Sequence, residues 1–224
     1  MLEPAAAIAE LHEAVPDEDL MRAFSEGDSR AFDVLYGRHE GALYRFVRRL
    51  LGPGLAAEVD EVFQESWFRI ISARESFVPQ GARWRTWAFT IAHNLAMDRL
   101  RARSRQADVV TPHANDDAGD EGEEAARAYQ RARSAGMADD AAHASAEETA
   151  FWRAAGRRLL HCLAELPDDQ RAAFLLHHDD GMTVDAIAQA QAVNFETVRS
   201  RLRYGLRKLR ACMARYLQVL EGQA

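Results

Sequence analysis

The sequence predicts an all-α protein: two small helical domains joined by a long acidic linker, the C-terminal one a helix-turn-helix. Apolar residues recur at helical intervals through two separate stretches of the chain. No run alternates apolar and polar residues for long enough to propose a sheet strand. Between the two stretches the composition turns acidic and small. The expected organisation is an N-terminal extension over 1–16, a helical domain over 17–103, a flexible linker over 104–148 and the helix-turn-helix domain over 149–224.

The first helix opens at Asp17, Glu18 and Asp19, where a helix N-terminus favours anions, and carries Leu20 and Phe24. Gly27-Asp28 makes a turn. Ala31, Phe32, Leu35, Tyr36, Leu43, Phe46, Val47 and Leu50 then form the apolar series of the second helix, which Gly52-Pro53-Gly54 ends. The spacing of Val59, Val62, Phe63, Trp67 and Ile70 predicts a third helix from about Ala57 to Ser72. After a break at Pro79-Gln80-Gly81, a fourth runs from about Trp84 to Arg103. In the linker Asp116, Asp117, Asp120, Glu121, Glu123 and Glu124 crowd together, and such a composition cannot bury enough apolar surface to offset the entropy of ordering. Helical spacing resumes near Phe151-Trp152 and carries Leu159, Leu160, Leu163 and Leu166 to Pro167. A helix over about Asp168–Asp180 should end at Gly181 as its C-terminal cap. Thr183 can cap a short helix holding Ile187 and Ala188; after a turn at Ala192-Val193, Asn194 can cap a last one to about Arg215.

With 224 residues the chain can bury two modest cores. Cys162 and Cys212 form no disulfide framework and are read as small core residues in a reducing setting. The N-terminus lacks a basic leader, and no apolar run approaches the roughly 20 residues that span a bilayer. A cytoplasmic protein without membrane insertion is expected. There is no P-loop, dinucleotide fingerprint or hydrolase elbow, and His161-Cys162 and His177-His178 are adjacent pairs, not the spaced pairs zinc sites use. The expectation is therefore no enzyme, no cofactor and no metal.

The net charge of −7 argues against nucleic-acid binding only if charge is treated as a single total; phosphate contacts depend on local patches, and here the signs are segregated. Along the last helix Val198, Leu202, Leu206, Leu209 and Met213 make an apolar stripe. Arg199, Arg203, Arg207 and Arg210 project from a different face, with Arg201 and Lys208 beside them. A short capped helix, a tight turn and a longer basic helix form a helix-turn-helix, whose second helix enters the major groove. Arginine suits that place because its planar fork bonds guanine or phosphate bidentately. In the first domain Arg83, Trp84 and Arg85 flank the loop before the fourth helix, while Trp87 and Phe89 are expected in the core. Asn94 and Asp98 share a helix face, which suits either a place beside DNA or bonds within the domain. Asp60, Glu61, Gln64 and Glu65 form a polar face upstream of Trp67.

Taken together, the two halves resemble sigma factors of the extracytoplasmic-function (ECF) family. The N-terminal match runs from Glu26-Gly27-Asp28-Ser29-Arg30-Ala31-Phe32 through Asp60-Glu61-Val62-Phe63-Gln64-Glu65-Ser66-Trp67 to Trp87-Ala88-Phe89-Thr90-Ile91-Ala92-His93-Asn94-Leu95-Ala96-Met97-Asp98. It is similar to region 2, which binds the polymerase clamp and the −10 element. The C-terminal match comprises Leu166-Pro167-Asp168-Asp169-Gln170-Arg171, Gly181-Met182-Thr183, Ile187-Ala188 and Thr197-Val198-Arg199-Ser200-Arg201-Leu202, and is similar to region 4, the −35 reader. The resemblance implies core RNA polymerase as a partner, through the clamp helices of its largest subunit and its flap, together with promoter DNA and an anti-sigma factor. It assigns −35 contacts to Thr197, Arg199, Ser200, Arg201, Arg203, Tyr204 and Arg207. The −10 contacts fall to Gln80, Arg83, Trp84, Arg85, Asn94, Arg101 and Arg103, and polymerase contacts to Asp60, Glu61, Gln64, Glu65 and Trp67.

The family usually has Gly, then Pro or Ser, in the turn where this chain has Ala192 and Asn194, and Arg203-Tyr204-Gly205 replaces a frequent His-Arg-Ala. Those departures leave the −35 sequence open. Two other functions fit parts of the sequence: a sigma-like adaptor that sequesters an anti-sigma factor, and a stand-alone helix-turn-helix regulator. The arginine face argues against the first; the second leaves the aromatic loop and the Asp60–Trp67 face without a purpose.

Overall fold

Three helix starts in this chain are set by short polar side chains that accept from the free backbone N–H groups of a first turn. Asp28 Oδ1 accepts from the Arg30 amide at 3.0 Å, Thr183 Oγ1 from Ala186 at 3.2 Å and Asn194 Oδ1 from Thr197 at 2.7 Å. The computed structural model describes residues 15–78, 83–109 and 146–221. Over these it shows α1 (Asp17–Ser25), α2 (Ser29–Leu51), a 3-10 segment (Pro53–Glu58), α3 (Val59–Ser72), a short 3-10 turn (Arg74–Ser76) and α4 (Trp84–Val109). The second half holds α5 (Ala146–Ala164), α6 (Asp168–His178), α7 (Val184–Ala190) and α8 (Phe195–Glu221). No strand occurs among the described residues, as the all-α reading expected.

Two helices run past their expected ends, α4 from Arg103 to Val109 and α8 from Arg215 to Glu221. Both extensions lack a glycine or proline stop, so nothing local ends the helix where the apolar pattern fades. The acidic cluster 116–124, Gln80 and the extension before Val15 lie outside the described residues.

In the N-terminal half α2 packs on α1, α3 and α4. Its buried face, with Leu35, Leu43, Phe46 and Leu50, meets Val62 and Ile70 of α3 and Phe89 and Ala92 of α4 in one core. Each of the larger side chains among these contributes roughly 1.5–3 kcal/mol through removal from water. In the C-terminal half α8 is the spine, packed on α5, α6 and α7.

Cys162 and Cys212 do not stand apart as expected: they are joined in a disulfide, with Cα atoms 5.9 Å apart. The pairing escaped the sequence because the partners lie 50 residues apart and only the packing of α5 on α8 aligns them.

The two halves touch. α2 packs on α5 and α6, and α4 packs on α6 and α7. Arg171, only 4 % exposed, donates to the Ala164 carbonyl at 3.1 Å and to Asp168 at 2.5 Å, and its guanidinium lies beside Gly52 of the first half. No described helix is long and apolar enough to cross a membrane.

Candidate nucleic-acid and polymerase interfaces

The helix-turn-helix is built by α7, a turn over 191–194 and α8. Ala192 takes the left-handed conformation (φ 52°) that the turn needs and that a glycine would adopt without strain. Val198, fully buried, and Leu209 anchor α8 to the core, which turns its other side outward. On that outer side Arg199, Arg203, Tyr204, Arg207, Lys208 and Arg210 are exposed, with Thr197 and Ser200 half-buried beside them. The guanidinium carbons of Arg203 and Arg207 lie 5.0 and 4.9 Å from the Tyr204 ring centre, so the ring holds two cations side by side. Arg199 bonds Glu196 at 3.1 Å on the surface.

Arg201 departs from its expected −35 role. It donates to Gln191 Oε1 and to Asp169 Oδ2, each at 2.6 Å, and so ties the turn and α6 to α8. The reason is helical phase: its position turns it toward α6, away from the outer face of Arg199 and Arg203.

On α3, Asp60 and Gln64 are exposed in one row that continues to Phe68. Asp60 accepts from the Tyr44 hydroxyl at 3.1 Å, Glu61 from Arg99 at 2.6 Å and Glu65 from Arg69 at 2.9 Å. Trp67, expected among the polymerase contacts, is instead a core residue at 5 % exposure, packed with Phe32, Tyr36, Phe63 and Trp84. About 100° of helical rotation separates it from its neighbour Phe68, which is 65 % exposed. Sequence reasoning missed Phe68. The available signal was an aromatic lying off the apolar stripe Val59, Val62, Phe63, Trp67 and Ile70.

The −10 candidates divide in the same way. Arg83, Asn94, Arg101 and Arg103 are exposed. Trp84, expected to meet an unstacked base, is only 1 % exposed. Its amide donates to Glu18 at 2.9 Å and its ring packs against His39, so as the first residue of α4 it is held in the core. Trp87 is half-buried against Phe77, and Phe89 is buried as expected. Asn94 lies 3.1 Å from His93 Nδ1, and Asp98 pairs with Arg101 at 3.2 Å. The residues do not converge on one pocket: Arg83 and Arg103 lie about 30 Å apart along α4 at 1.5 Å per residue.

Arg85 reaches out of its domain. Its guanidinium pairs with Asp180 at 3.0 Å while resting on the Phe89 ring, and nearby Arg49 pairs with Asp179. Burial pushes the Asp180 carboxyl up to about 7 despite the two arginines, and its Oδ2 has no hydrogen-bond partner. Burial also lowers the pKa of His93, against the weaker pull of its bond to Asn94.

A fold of two helical units with an exposed basic recognition helix defines a DNA-binding transcription protein. The sigma-70 region 2 profile matches residues 35–106 and the sigma-70 region 4 profile matches residues 156–209, together more than half of the chain. The chain belongs to the ECF branch of the sigma-70 family of RNA polymerase sigma factors. It is 28 % identical over 195 residues to the ECF RNA polymerase sigma factor SigK of Mycobacterium sp. (strain KMS), covering 87 % of this chain and 89 % of that one. It is 29 % identical over 190 residues to the RNA polymerase sigma-H factor of Pseudomonas aeruginosa, covering 83 % and 88 %. Among solved structures it is similar to the sigma factor RpoE in complex with the anti-sigma factor NepR from Bartonella quintana (TM-score 0.56, 17 % identity, 82 % and 96 % covered). It is likewise similar to CnrH in complex with the cytosolic domain of CnrY (TM-score 0.56, 22 % identity, 88 % and 97 % covered). As a sigma factor it is a transcription-initiation subunit and not an enzyme.

Proposed function

We propose that this sigma factor reads the −35 element with the outer face of α8 and docks on core polymerase with the outer face of α3. The observation that carries the reading is the capped, outward-facing arginine surface of the recognition helix: Arg199, Arg203 and Arg207, with Tyr204 between the last two and Thr197 and Ser200 beside them. Asp60, Glu61, Gln64 and Glu65, extended by Phe68, supply the surface for the clamp helices of the largest subunit, and the C-terminal domain meets the flap. Arg83, Asn94, Arg101 and Arg103 line a basic track for the −10 strand, with Gln80 as its base-reading partner and Arg85 joining it when freed from Asp180. Basic groups that track the backbone suit an unpaired strand. The protein works in the cytoplasm, and an anti-sigma factor is its expected regulator, by extension from the two solved complexes.

Run-off transcription with purified core polymerase on a genomic promoter library tests this. Transcripts that need the protein and share −35 and −10 elements are the expected result. Tight polymerase binding without transcripts would favour the adaptor reading, and no polymerase binding would overturn the docking assignment.

A further inference from the structure

Helix α4 begins with unfavourable charges. Arg83 and Arg85 flank its first residue, Trp84, where the positive end of the helix dipole disfavours cations, and its first turn holds no acid. By contrast α1, α3, α6, α7 and α8 each open with an acid in the first turn. Nor does the local sequence supply a cap to α4, because Ala82 and Arg83, just before it, carry no side-chain oxygen. The missing carboxylate comes from α1. Glu18 Oε1 accepts from the Trp84 amide at 2.9 Å across 66 residues of sequence.

That bond controls more than one group, because the Trp84 N–H and the Arg83 carbonyl belong to the same planar peptide unit. The carbonyl end accepts from the Trp87 amide at 3.1 Å. With the N–H end held by Glu18, both polar ends of the unit are satisfied and it is held against rotation, which sets the backbone direction at Arg83. Glu18 is itself fixed in place. Its neighbour Asp17 accepts from Arg38 at 2.7 Å and meets His39 Nε2 at 2.7 Å, both on α2. The His39 ring packs on Trp84 with centroids 4.6 Å apart, and Trp84 is buried, so the start of α4 is anchored to α1 and α2 together. Asp17, Glu18, Arg83 and Arg85 line one open cleft at this end of α4.

We propose that Glu18 is a positioning residue for capture of the −10 strand: by capping α4 from α1 it fixes the Arg83–Trp84 peptide, and so the direction in which Arg83 is presented to the strand. The inference rests on the assignment of Arg83 to that strand. Glu18 acts through the peptide it holds and does not itself touch DNA. A charged acceptor suits the place, since a carboxylate–amide bond is stronger than a neutral one and offsets the two arginines. Glutamine at this position keeps the acceptor oxygen without the charge; alanine removes both.

The test uses the full-length protein with core polymerase on a promoter recovered by the run-off screen, and reads open-complex formation from the permanganate reactivity of unpaired thymines. Glu18→Ala should lower opening by about tenfold or more, the factor a lost bond to a charged acceptor carries. Glu18→Gln should stay within about threefold of the wild type, because the acceptor remains. Asp19→Ala, which removes the next acid of the same turn, is the charge-matched control and should open the promoter as the wild type does. In every variant, retention by core polymerase and binding to a duplex carrying the −35 half alone should be unchanged, which a general loss of fold would not allow. Because Glu18 acts through Arg83, adding Glu18→Ala to Arg83→Ala should deepen the defect by less than about twofold. Hydrogen exchange of the free protein checks the cap without DNA. Amides at the start of α4 should exchange about fivefold faster in Glu18→Ala and return toward the wild-type rate in Glu18→Gln. Unchanged exchange would overturn the cap. Unchanged opening, or equal losses of opening, −35 binding and polymerase retention, would overturn the positioning role. A wild type that opens no promoter, or an Arg83→Ala variant that opens it as well as the wild type, would instead overturn the −10 assignment on which the inference rests.

Discussion

Arg203 and Tyr204 share one turn of α8, and their environment decides what each can do. Arg203 is exposed and pairs with no acid among the described residues; its neighbour is the Tyr204 ring. A guanidinium resting on a ring keeps its planar fork free for a base edge. Arg203→Ala is expected to cost about 1–3 kcal/mol in promoter binding and to relax selectivity at one base position; binding to a panel of single-base promoter variants checks this. Uniform weakening across the panel would make Arg203 a phosphate contact. Phe68→Ala should weaken retention by core polymerase by about tenfold or more while moving stability by less than about 0.5 kcal/mol, since an exposed aromatic serves an interface and not the core. Ala192→Gly should raise stability by about 0.5–1 kcal/mol in urea unfolding, because glycine removes the cost of a left-handed alanine at φ 52°.

At the scale of elements, α5 and α8 are tied through Cys162 and Cys212 across 50 residues of sequence. Loop-closure entropy for that length stabilises the folded domain by about 4 kcal/mol. Cys162→Ser/Cys212→Ser should therefore lower the melting temperature measured under non-reducing conditions, with no further loss on adding a reductant. An unchanged melting curve would mean that α5 and α8 are held by packing alone. Most of these elements were readable in the sequence: the caps at Thr183 and Asn194, the stop at Gly52 and the apolar stripes all act within one or two turns, although the helix expected to reach Gly181 ends at His178 with Asp179 as its cap. Helix phase was not readable to a single residue. Trp67 and Phe68 are neighbours, yet one is core and the other surface; Arg199 and Arg201 differ in the same way. A rotation of about 100° per residue separates these fates, and only the position of the packing helix fixes which wins.

For the whole molecule, the contact between the domains should depend on pH. Asp180 faces Arg85 of α4 and Arg49 of α2, with Asp179 beside it, and burial outweighs the arginines to raise its pKa to about 7. A carboxyl whose pKa is raised in the closed form and returns toward 3.8 in water favours closure fully below about 4. That contribution is lost as pH rises through 7, and at 1.36 kcal/mol per unit it amounts to at most about 4 kcal/mol. His93, whose pKa burial lowers, acts with the opposite sign, weakening closure as pH falls below its ordinary value of 6.5. Subtracting the scattering profile of Asp180→Asn from that of the wild type between pH 5 and 8 isolates the carboxyl. Identical profiles would show that Asp180 does not titrate with opening.

The sequence by itself determined the helical class, the element order, the basic face of α8 and the family, because periodicity, caps and charge segregation are local properties of the chain. Tertiary structure decided the rest. It buried Trp67 and Trp84, turned Arg201 inward, joined Cys162 to Cys212 and set Arg85 against Asp180. Each of these depends on residues far apart in sequence, where no spacing rule reaches and only packing brings the partners together.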